Sequence, residues 1–397
     1  MNFKKKSTVI FTCISVGIIA LLATISFLFL FSGKENRPNI VLIMVDDLPI
    51  ELLSCYGGNL IQTPNLDQLA NEGLRFDNCF STKTILNANS SDHTNSLELS
   101  NLLRQNNYQT ALIGKWTLAT KKMNFDFTNL LVNPDDFYNP DFNENGKIRR
   151  ENGYVADIIT NKAIRFIKTR DTKKPYALFF NFNATDKNCI PATRHLGLFE
   201  NTIFPVLQPL YQSSIQKDFN SQAAIPENLN RMTPSQKSSF MVVNSKRNET
   251  IKLLKSSPNS LNTWKYQQYL RDYLTTMLSL DENIGRLIKY LEDTGELNNT
   301  IIICSSNTTL NINRKQLKTP LIIRYPVKIK TNSVSNIYCT NADLFPTLLD
   351  ISGTKIPYNI EGRSLKPVFE VSGKTPETLT KYESLTNLIR KKNNLTN

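Results

Sequence analysis

Continuous apolar runs alternate with amphipathic segments along much of this chain, and this alternation restricts its fold more than any other sequence feature. Such runs end near Asp47, Gly114, Phe182 and Ser305. A strand that is apolar at every position is buried on both faces, which is typical of parallel sheets covered by their connecting helices. The sequence therefore predicts an α/β fold, in which a largely parallel central sheet lies between two helical layers.

The period of the apolar residues places the individual elements. Thr63 is expected to cap the first helix of this domain, and Pro346 to interrupt the last one. Residues 184–262 are polar and irregular, and we predict loops over the sheet there. The predicted strands are 37–47, 74–80, 108–114, 174–182, 298–305 and 319–326, and the predicted helices are 63–73, 97–106, 155–169, 265–292 and 342–352.

The N-terminus predicts the compartment. After the basic start MNFKKK, residues 8–32 carry no charge and are rich in Ile, Leu, Phe and Val. About 25 such residues can cross a bilayer, whereas the apolar region of a cleavable signal peptide has about 7–15. An uncleaved, single-pass signal anchor is favoured over a removed signal peptide. The lysines would stay cytoplasmic, and everything after Gly33 would lie on the extracytoplasmic side of the membrane.

Composition limits the chemistry and the partners. Two histidines, His93 and His195, are too few for a His-rich metal enzyme. The five cysteines outside the apolar N-terminal run are an odd number, so a monomer cannot pair them all, and several should act as small hydrophobes. The formal net charge of +13 has two interpretations: the basic residues form a solvated surface, or they attract anionic glycans or lipids. Nucleic acid is not expected as a partner of an exported chain.

Several segments, taken in order, carry a resemblance to a known family. The chain resembles the sulfatases of the alkaline-phosphatase-like superfamily in NIVLIMVDDL, TPNLDQLANEGLRFDNCF, YQTALIGKW, TPLIIRYP and ADLFPTLLDISG. It resembles bacterial N-acetylglucosamine-6-sulfatases of the mucin-desulfating type in FYNPDFNENGK and YQQYLRDYLTTMLSLDENIGRLIKYLEDTG. The resemblance implies an alkaline-phosphatase-like domain over 37–353, after the basic stub and anchor of 1–33. A truncated C-terminal segment would follow at 354–397.

The nucleophile implied by this resemblance is missing. The family carries a Cys, matured to formylglycine, or a Ser in a C/S-x-P-x-R motif after the second strand. The matching stretch here is 84–90, with Leu86 at the nucleophile position and neither the Pro nor the Arg. No formylglycine is expected. Thr84, Ser90 and Ser91 could be proposed as substitutes, although hydroxyls in a polar loop are usually just solvated.

The implied metal site is half kept. Asp46 and Asp47 match the family's paired calcium ligands. After the later strand the family reads Ser-Asp-Asn/Gln/His-Gly, whereas this chain has Asn307 in place of the carboxylate and Thr308 after it. Calcium prefers six to eight oxygens, and its affinity follows ligand charge, so calcium is possible only at a weakened site. Without the resemblance, Asp46 and Asp47 would simply be strand-end carboxylates that cap the next segment.

The implied acid–base set is mostly lost. Lys115 matches the family's sulfate-contacting lysine, but the histidine that follows in the family is Thr117 here. A second histidine position is occupied by Asp186. Neither His93 nor His195 matches a catalytic position. Taken alone, Lys115 would be a strand-end surface lysine.

Several functions remain open at this point. The favoured one is a membrane-anchored, catalytically inactive sulfatase relative, whose role would be either to bind sulfated glycans or to act with an active relative at the envelope. A sulfuric ester hydrolase with an altered site would use Asp46, Asp47, Lys115 and either Asn307 or Asp186. A non-enzymatic envelope protein would not need the site at all, and an incomplete gene would also explain the gaps. The oligomeric state is left open.

Overall fold

The computed structural model describes residues 37–81, 94–116, 124–182, 189–207, 229–307, 318–358 and 360–369. The contacts of the chain divide it after Arg37, and every element below belongs to the second unit. The predicted membrane anchor at 8–32 lies outside the described residues. Within the described ranges, no helix combines the length and the hydropathy that crossing a bilayer requires.

Strands and helices alternate along this second unit. The strands are β1 (Asn39–Asp46), β2 (Leu74–Phe76), β3 (Cys79–Phe80), β4 (Gln109–Gly114), β5 (Phe127–Leu131), β6 (Asp141–Glu144), β7 (Lys147–Arg150), β8 (Tyr176–Phe182), β9 (Thr300–Asn307), β10 (Leu321–Arg324), β11 (Ser333–Ser335) and β12 (Cys339–Thr340). The α-helices are α1 (Pro64–Asn71), α2 (Thr94–Gln105), α3 (Val155–Thr169), α4 (Pro234–Leu254), α5 (Pro258–Asp293), α6 (Leu344–Ile351) and α7 (Lys366–Phe369).

The central sheet has ten strands in the order β11-β2-β10-β9-β1-β8-β4-β5-β6-β7. Strand β1 runs parallel to both of its neighbours, β8 and β9, and β4 is parallel to β8 and β5. Antiparallel pairing is confined to β9-β10-β2 and β5-β6-β7. The prediction of a largely parallel sheet is therefore confirmed, with a mixed sheet towards both edges.

Each face of the sheet packs against its own layer of helices. In β1, Val41, Ile43 and Val45 belong to one hydrophobic core, together with buried residues of α1, α3 and α5. The alternate residues Ile40 and Leu42 belong to a second core with residues of α2 and α6. Because side chains alternate across a strand, β1 supplies both cores at once. The two cores give the predicted three layers.

The prediction of loops over 184–262 is wrong for its second half. Helix α4 and the start of α5 lie there. Helix α4 begins with a capping box: the Thr233 side chain accepts a hydrogen bond from the Gln236 backbone amide, and the Gln236 side-chain oxygen accepts one from the Thr233 backbone amide. This signal was present in the sequence. The capping box alone did not lead to the prediction of a helix, because α4 buries few residues and lacks a strong apolar stripe.

Two predicted helix boundaries also need correction. Thr63 occupies the N-cap of α1 but its side chain makes no capping bond to that helix. The cap comes from α5, where Asp281 accepts hydrogen bonds from the amides of Asn65 (3.1 Å) and Leu66 (2.9 Å). Pro346 does not interrupt α6, because it lies in the first turn, where a missing N–H costs no intrahelical bond.

The cap across elements makes Asp281 a stability determinant of α1. We expect Asp281→Ala to lower the free energy of unfolding by about 2–3 kcal/mol, because it leaves buried amides of α1 without an acceptor. Urea unfolding followed by circular dichroism measures this. The matched control is Glu282→Ala, next along α5, where the half-exposed carboxylate should cost no more than about 1 kcal/mol. Equal losses in the two variants would contradict the capping role.

Candidate functional site

The carboxyl end of β1 lies in the middle of the sheet, and Asp46 is its last residue. Asp46 stands in register with Asn307, the last residue of the adjacent β9. In open α/β sheets, ligands bind beyond the carboxyl ends of the parallel strands. The structure thus brings the backbone positions of Asp46 and Asn307 together at the expected edge.

The bend after β1 is fixed from two sides. Asp47 is buried and has a left-handed backbone, with φ of 51°. Its carbonyl accepts a hydrogen bond of 2.7 Å from the Tyr273 hydroxyl of α5. The amide of the next residue, Leu48, donates to Ser306 Oγ of β9 at 2.9 Å. Such strain at a strand end persists only where the surroundings impose it, and here a helix and a strand do so.

Lys115 follows β4 and is held through its backbone by β8. Its amide donates to the Asn181 carbonyl at 3.0 Å, and the Asn181 side-chain amide donates to the Lys115 carbonyl at 2.9 Å. The preceding Gly114 has φ of +100°, a conformation that side chains disfavour. This clamp aims the Lys115 side chain along the strand edge.

Lys115 and Asp46 form an ion pair. Lys115 Nζ lies 2.6 Å from Asp46 Oδ2, and the two side chains are 7% and 15% exposed. At this burial the pair is poorly screened, and removing either partner would leave a buried charge uncompensated. The structure therefore joins two of the sequence-predicted site residues directly, in a contact that the sequence did not suggest.

The other predicted site residues are placed differently. Leu86, Thr117 and Asp186 lie outside the described residues, as do the candidate hydroxyls Thr84, Ser90 and Ser91, together with Thr308 and His93. Asn307 is described only as the last backbone position of β9.

His195, the second histidine, packs against α5. His195 Nδ1 lies 2.8 Å from Ser279 Oγ, and its Nε2 lies 3.6 Å from a Glu282 carboxylate oxygen. Burial and the neighbouring Arg194 guanidinium lower the pKa of His195. Its neutral form is thereby favoured, consistent with the absence of a match between this histidine and the family's acid–base positions.

Sequence reasoning missed three residues that shape the site. Tyr273 was assigned only to the apolar stripe of α5, Asn181 only to a buried strand, and Ser306 only to a degenerate motif. The one available signal was polar: Asn181 and Ser306 interrupt otherwise apolar strands close to their carboxyl ends. A buried polar residue needs a partner, and here each one ties two strand ends together.

The described donors do not fit a calcium ion. Among the described residues, no group of three or more His, Cys, Asp or Glu side chains is arranged to hold a metal. Asp46 and Asp47 are two carboxylates where calcium needs six to eight oxygens, and Asp46 already binds the Lys115 ammonium. Sulfatases normally hold a divalent metal, commonly calcium, and the described residues at this strand edge do not by themselves complete such a site.

Comparison with known proteins agrees with this topology. The family model described as Sulfatase matches residues 38–354. The chain belongs to the sulfatase family. Its alkaline-phosphatase-like fold, expected from the resemblance, is thereby confirmed.

Individual relatives narrow the relationship. The chain is 38% identical to an N-acetylglucosamine-6-O-sulfatase of Bacteroides thetaiotaomicron, over 86% of this chain and 73% of that protein. It is 28% identical to human N-acetylglucosamine-6-sulfatase, over 66% of this chain and 47% of that protein. A solved structure, of a protein in complex with its substrate D-glucosamine-2-N,6-O-disulfate, superposes with a TM-score of 0.77 at 38% identity and covers 86% of this chain and 82% of that one. The chain thus spans about half the length of the human relative.

The clamp at Gly114 predicts a large effect of a small substitution. In Gly114→Ala, the added Cβ would overlap the Asn181 carbonyl oxygen and disturb the backbone that aims Lys115. We expect a loss of about 3 kcal/mol in the free energy of unfolding, from backbone strain plus a steric clash.

The matched control is Gly146→Ala in the β6–β7 turn. Gly146 has a similar φ of +91°, but no heavy atom lies within 4 Å of the added Cβ. Conformational strain alone should cost about 1 kcal/mol there. Thermal and urea unfolding of both variants would check the difference, and equal losses would show that the approach of Asn181 is not limiting.

Proposed function

We propose that this chain is a catalytically silent member of the sulfatase family that recognises sulfated glucosamine-type sugars without cleaving them. The observation that carries the proposal is the buried Asp46–Lys115 ion pair at the strand edge.

Hydrolysis of a sulfate ester requires a nucleophile that attacks sulfur. The family motif places Leu86, an alkyl side chain, at that position. Two of the described thiols are poor substitutes: burial raises the pKa of Cys55 to about 12 and also raises the pKa of Cys304 on β9. A thiol so far above its usual pKa holds almost no thiolate at neutral pH.

The ion pair also opposes a metal. A divalent ion within bonding distance of Asp46 would stand beside the Lys115 ammonium, and the two cations would repel each other. Binding calcium there would require withdrawing a buried lysine from its carboxylate. Because Asn307 replaces a family carboxylate, the gain from the remaining ligands is also smaller.

Recognition makes fewer demands than catalysis. A sulfate group needs a cationic donor, and Lys115 provides one once a ligand competes with Asp46 for it. The net charge of +13 favours approach of anionic glycans. The proposed ligand class follows the named activities of the relatives, which are N-acetylglucosamine-6-sulfatases, and the disulfated glucosamine bound in the solved structure.

Competition between Asp46 and the ligand for Lys115 can be tested directly. Asp46→Asn removes the competing charge, so we expect it to tighten binding of N-acetylglucosamine-6-sulfate by about tenfold, the effect of one charge-assisted hydrogen bond. Lys115→Met should abolish that binding at the strand edge. Isothermal titration calorimetry without calcium measures both. Circular dichroism spectra and melting curves of each variant check that the fold is kept.

The alternative, an active sulfuric ester hydrolase with an altered site, predicts the opposite pattern. In that case calcium would tighten ligand binding, Asp46→Asn would weaken it, and ion chromatography would detect sulfate released from the sugar. The silent protein should release no sulfate above the blank, since the loss of several members of a catalytic unit leaves little turnover. A purified N-acetylglucosamine-6-sulfatase is the positive control.

We also propose that residues 8–32 anchor the chain in a membrane, with the sulfatase-like domain on the extracytoplasmic side. The length and apolar character of this segment support the proposal, as does the basic stub before it.

A shortened chain tests the anchor. The full chain should stay in the membrane pellet after alkaline carbonate extraction, whereas a variant lacking residues 1–33 should move to the soluble fraction. Recovery of both forms in the soluble fraction would favour a removed signal peptide instead, and mass spectrometry of the N-terminus would then identify the cleavage point.

A further inference from the structure

The cavity between α4 and α5 has a largely polar lining, with Val243 and Phe199 among its apolar residues. On α4, Lys246, Arg247 and Thr250 recur at helical spacing along a shared cavity. The residues of α5 that line this cavity also recur at helical spacing: Trp264, Gln268, Arg271, Asp272 and Thr275. Residues at such spacing form one helix face, and in a packed helix pair that face normally carries the apolar contacts. Here that face is mixed, and its polar side chains line a cavity.

A cavity separates the two helices along this face. Its volume is about 180 Å³, many times the roughly 10–15 Å³ that a single water molecule needs. It is large enough for one small ring and too small for an extended chain. We call it the interhelical cleft, defined by Glu200, Lys246, Arg247, Trp264, Arg271 and Asp272.

A rigid ion pair forms one side of the cleft. Arg247 Nη1 and Nη2 donate to the two carboxylate oxygens of Asp272 at 2.8 and 2.7 Å, and both side chains are nearly buried. A two-point contact of this kind fixes both planes. Because the charges of Arg247 and Asp272 balance each other, the pair contributes to the shape of the cleft and offers no net charge to a ligand.

Arg271 supplies the charge. Its Nε and Nη2 both donate to the Thr202 carbonyl, at 3.1 and 2.8 Å. A carbonyl orients a guanidinium without neutralising it. Burial and the neighbouring Arg247 guanidinium lower the pKa of Arg271, so its cation is held in a place that penalises positive charge. An anion in the cleft would relieve that penalty.

Lys246 can supply a second cationic group, beside Arg271, at the mouth of the cleft. Its ammonium lies 3.7 Å from the Glu200 carboxylate, with the two side chains 65% and 47% exposed. Exposed pairs of this kind contribute little and exchange partners readily. The lining then holds three cations, Lys246, Arg247 and Arg271, against the two carboxylates of Glu200 and Asp272.

Trp264 adds an aromatic wall to this charged lining. Ligand sites commonly combine aromatic walls with a few placed polar groups, and the C–H face of a sugar ring suits such a wall. We propose that the interhelical cleft binds an anionic sugar, a single ring bearing a sulfate or a carboxylate. The ring would lie on Trp264 and the anionic group would meet Arg271 and Lys246. This site does not depend on the Asp46–Lys115 edge.

The sequence provides a reporter for this cleft. The chain has two tryptophans, Trp116 and Trp264. In a full-length Trp116→Phe chain, the intrinsic tryptophan emission comes from Trp264 alone. Titration with N-acetylglucosamine-6-sulfate and with glucuronic acid should change that emission saturably, whereas neutral N-acetylglucosamine should not. The sugar with the lower Kd identifies the preferred anionic group.

Variants in this background test the assigned contacts. Arg271→Gln should weaken binding on the order of tenfold and Lys246→Gln about threefold, because each removes a charge from the anion contact. Lys289→Gln, the same charge change on α5 outside the cleft, should leave the Kd unchanged. Lys246 is exposed, so its variant keeps the test valid even if Arg271→Gln unfolds.

Three results would overturn the proposal. The first is no saturable change with either anionic sugar. The second is a Kd unaffected by Lys246→Gln. The third is inorganic sulfate binding as tightly as the sugar, which would leave Trp264 without a role. Since Trp264 emission reports the cleft, and the Asp46 and Lys115 variants probe the strand edge, failure of this site and failure of the proposed function are distinguishable.

Discussion

The ion pair between Asp46 and Lys115 is the contact on which the strand edge depends. The two residues end β1 and follow β4, which lie on opposite sides of β8. Neighbouring strands are about 4.8 Å apart, so the pair spans roughly 10 Å of sheet. Only a long side chain can do this, and only if both strands point the same way. The pair therefore requires the parallel order of β1, β8 and β4, the backbone conformation of Gly114 and the hydrogen bonds between Lys115 and Asn181.

The pair also bears on how the proposed silent protein would keep its fold. Sulfatases normally bind a divalent metal, and a cation of that kind can compensate buried carboxylates. Here a lysine ammonium compensates Asp46 from within the chain. The desolvation cost of a buried carboxylate is offset either way, so β1 can keep its charged end without a metal. Loss of catalytic groups then need not destabilise the sheet.

The sequence predicted the centre of the molecule better than its edges. Strands β1, β4, β8 and β9 were found because each contains a continuous apolar run, which follows from burial on both faces. Strand β7 was not found, since every one of its residues is exposed and its position depends on pairing with β6. Helix α4 was missed for a related reason: few of its residues are buried, so no apolar period marks it.

At the site, residue identity was predictable but contact was not. Asp46, Asp47 and Lys115 were selected by their place after strands and by the family resemblance. Tyr273 and Ser306 act on the bend after β1 from 226 and 258 residues away in sequence. Such contacts follow from the packing of α5 and the register of β9, neither of which a local pattern specifies. The same helix α5 also caps α1 through Asp281 and lines the interhelical cleft through Arg271. The placement of α5 therefore determines the bend after β1, the cap of α1 and the cleft, and a shift of its register would alter all three together.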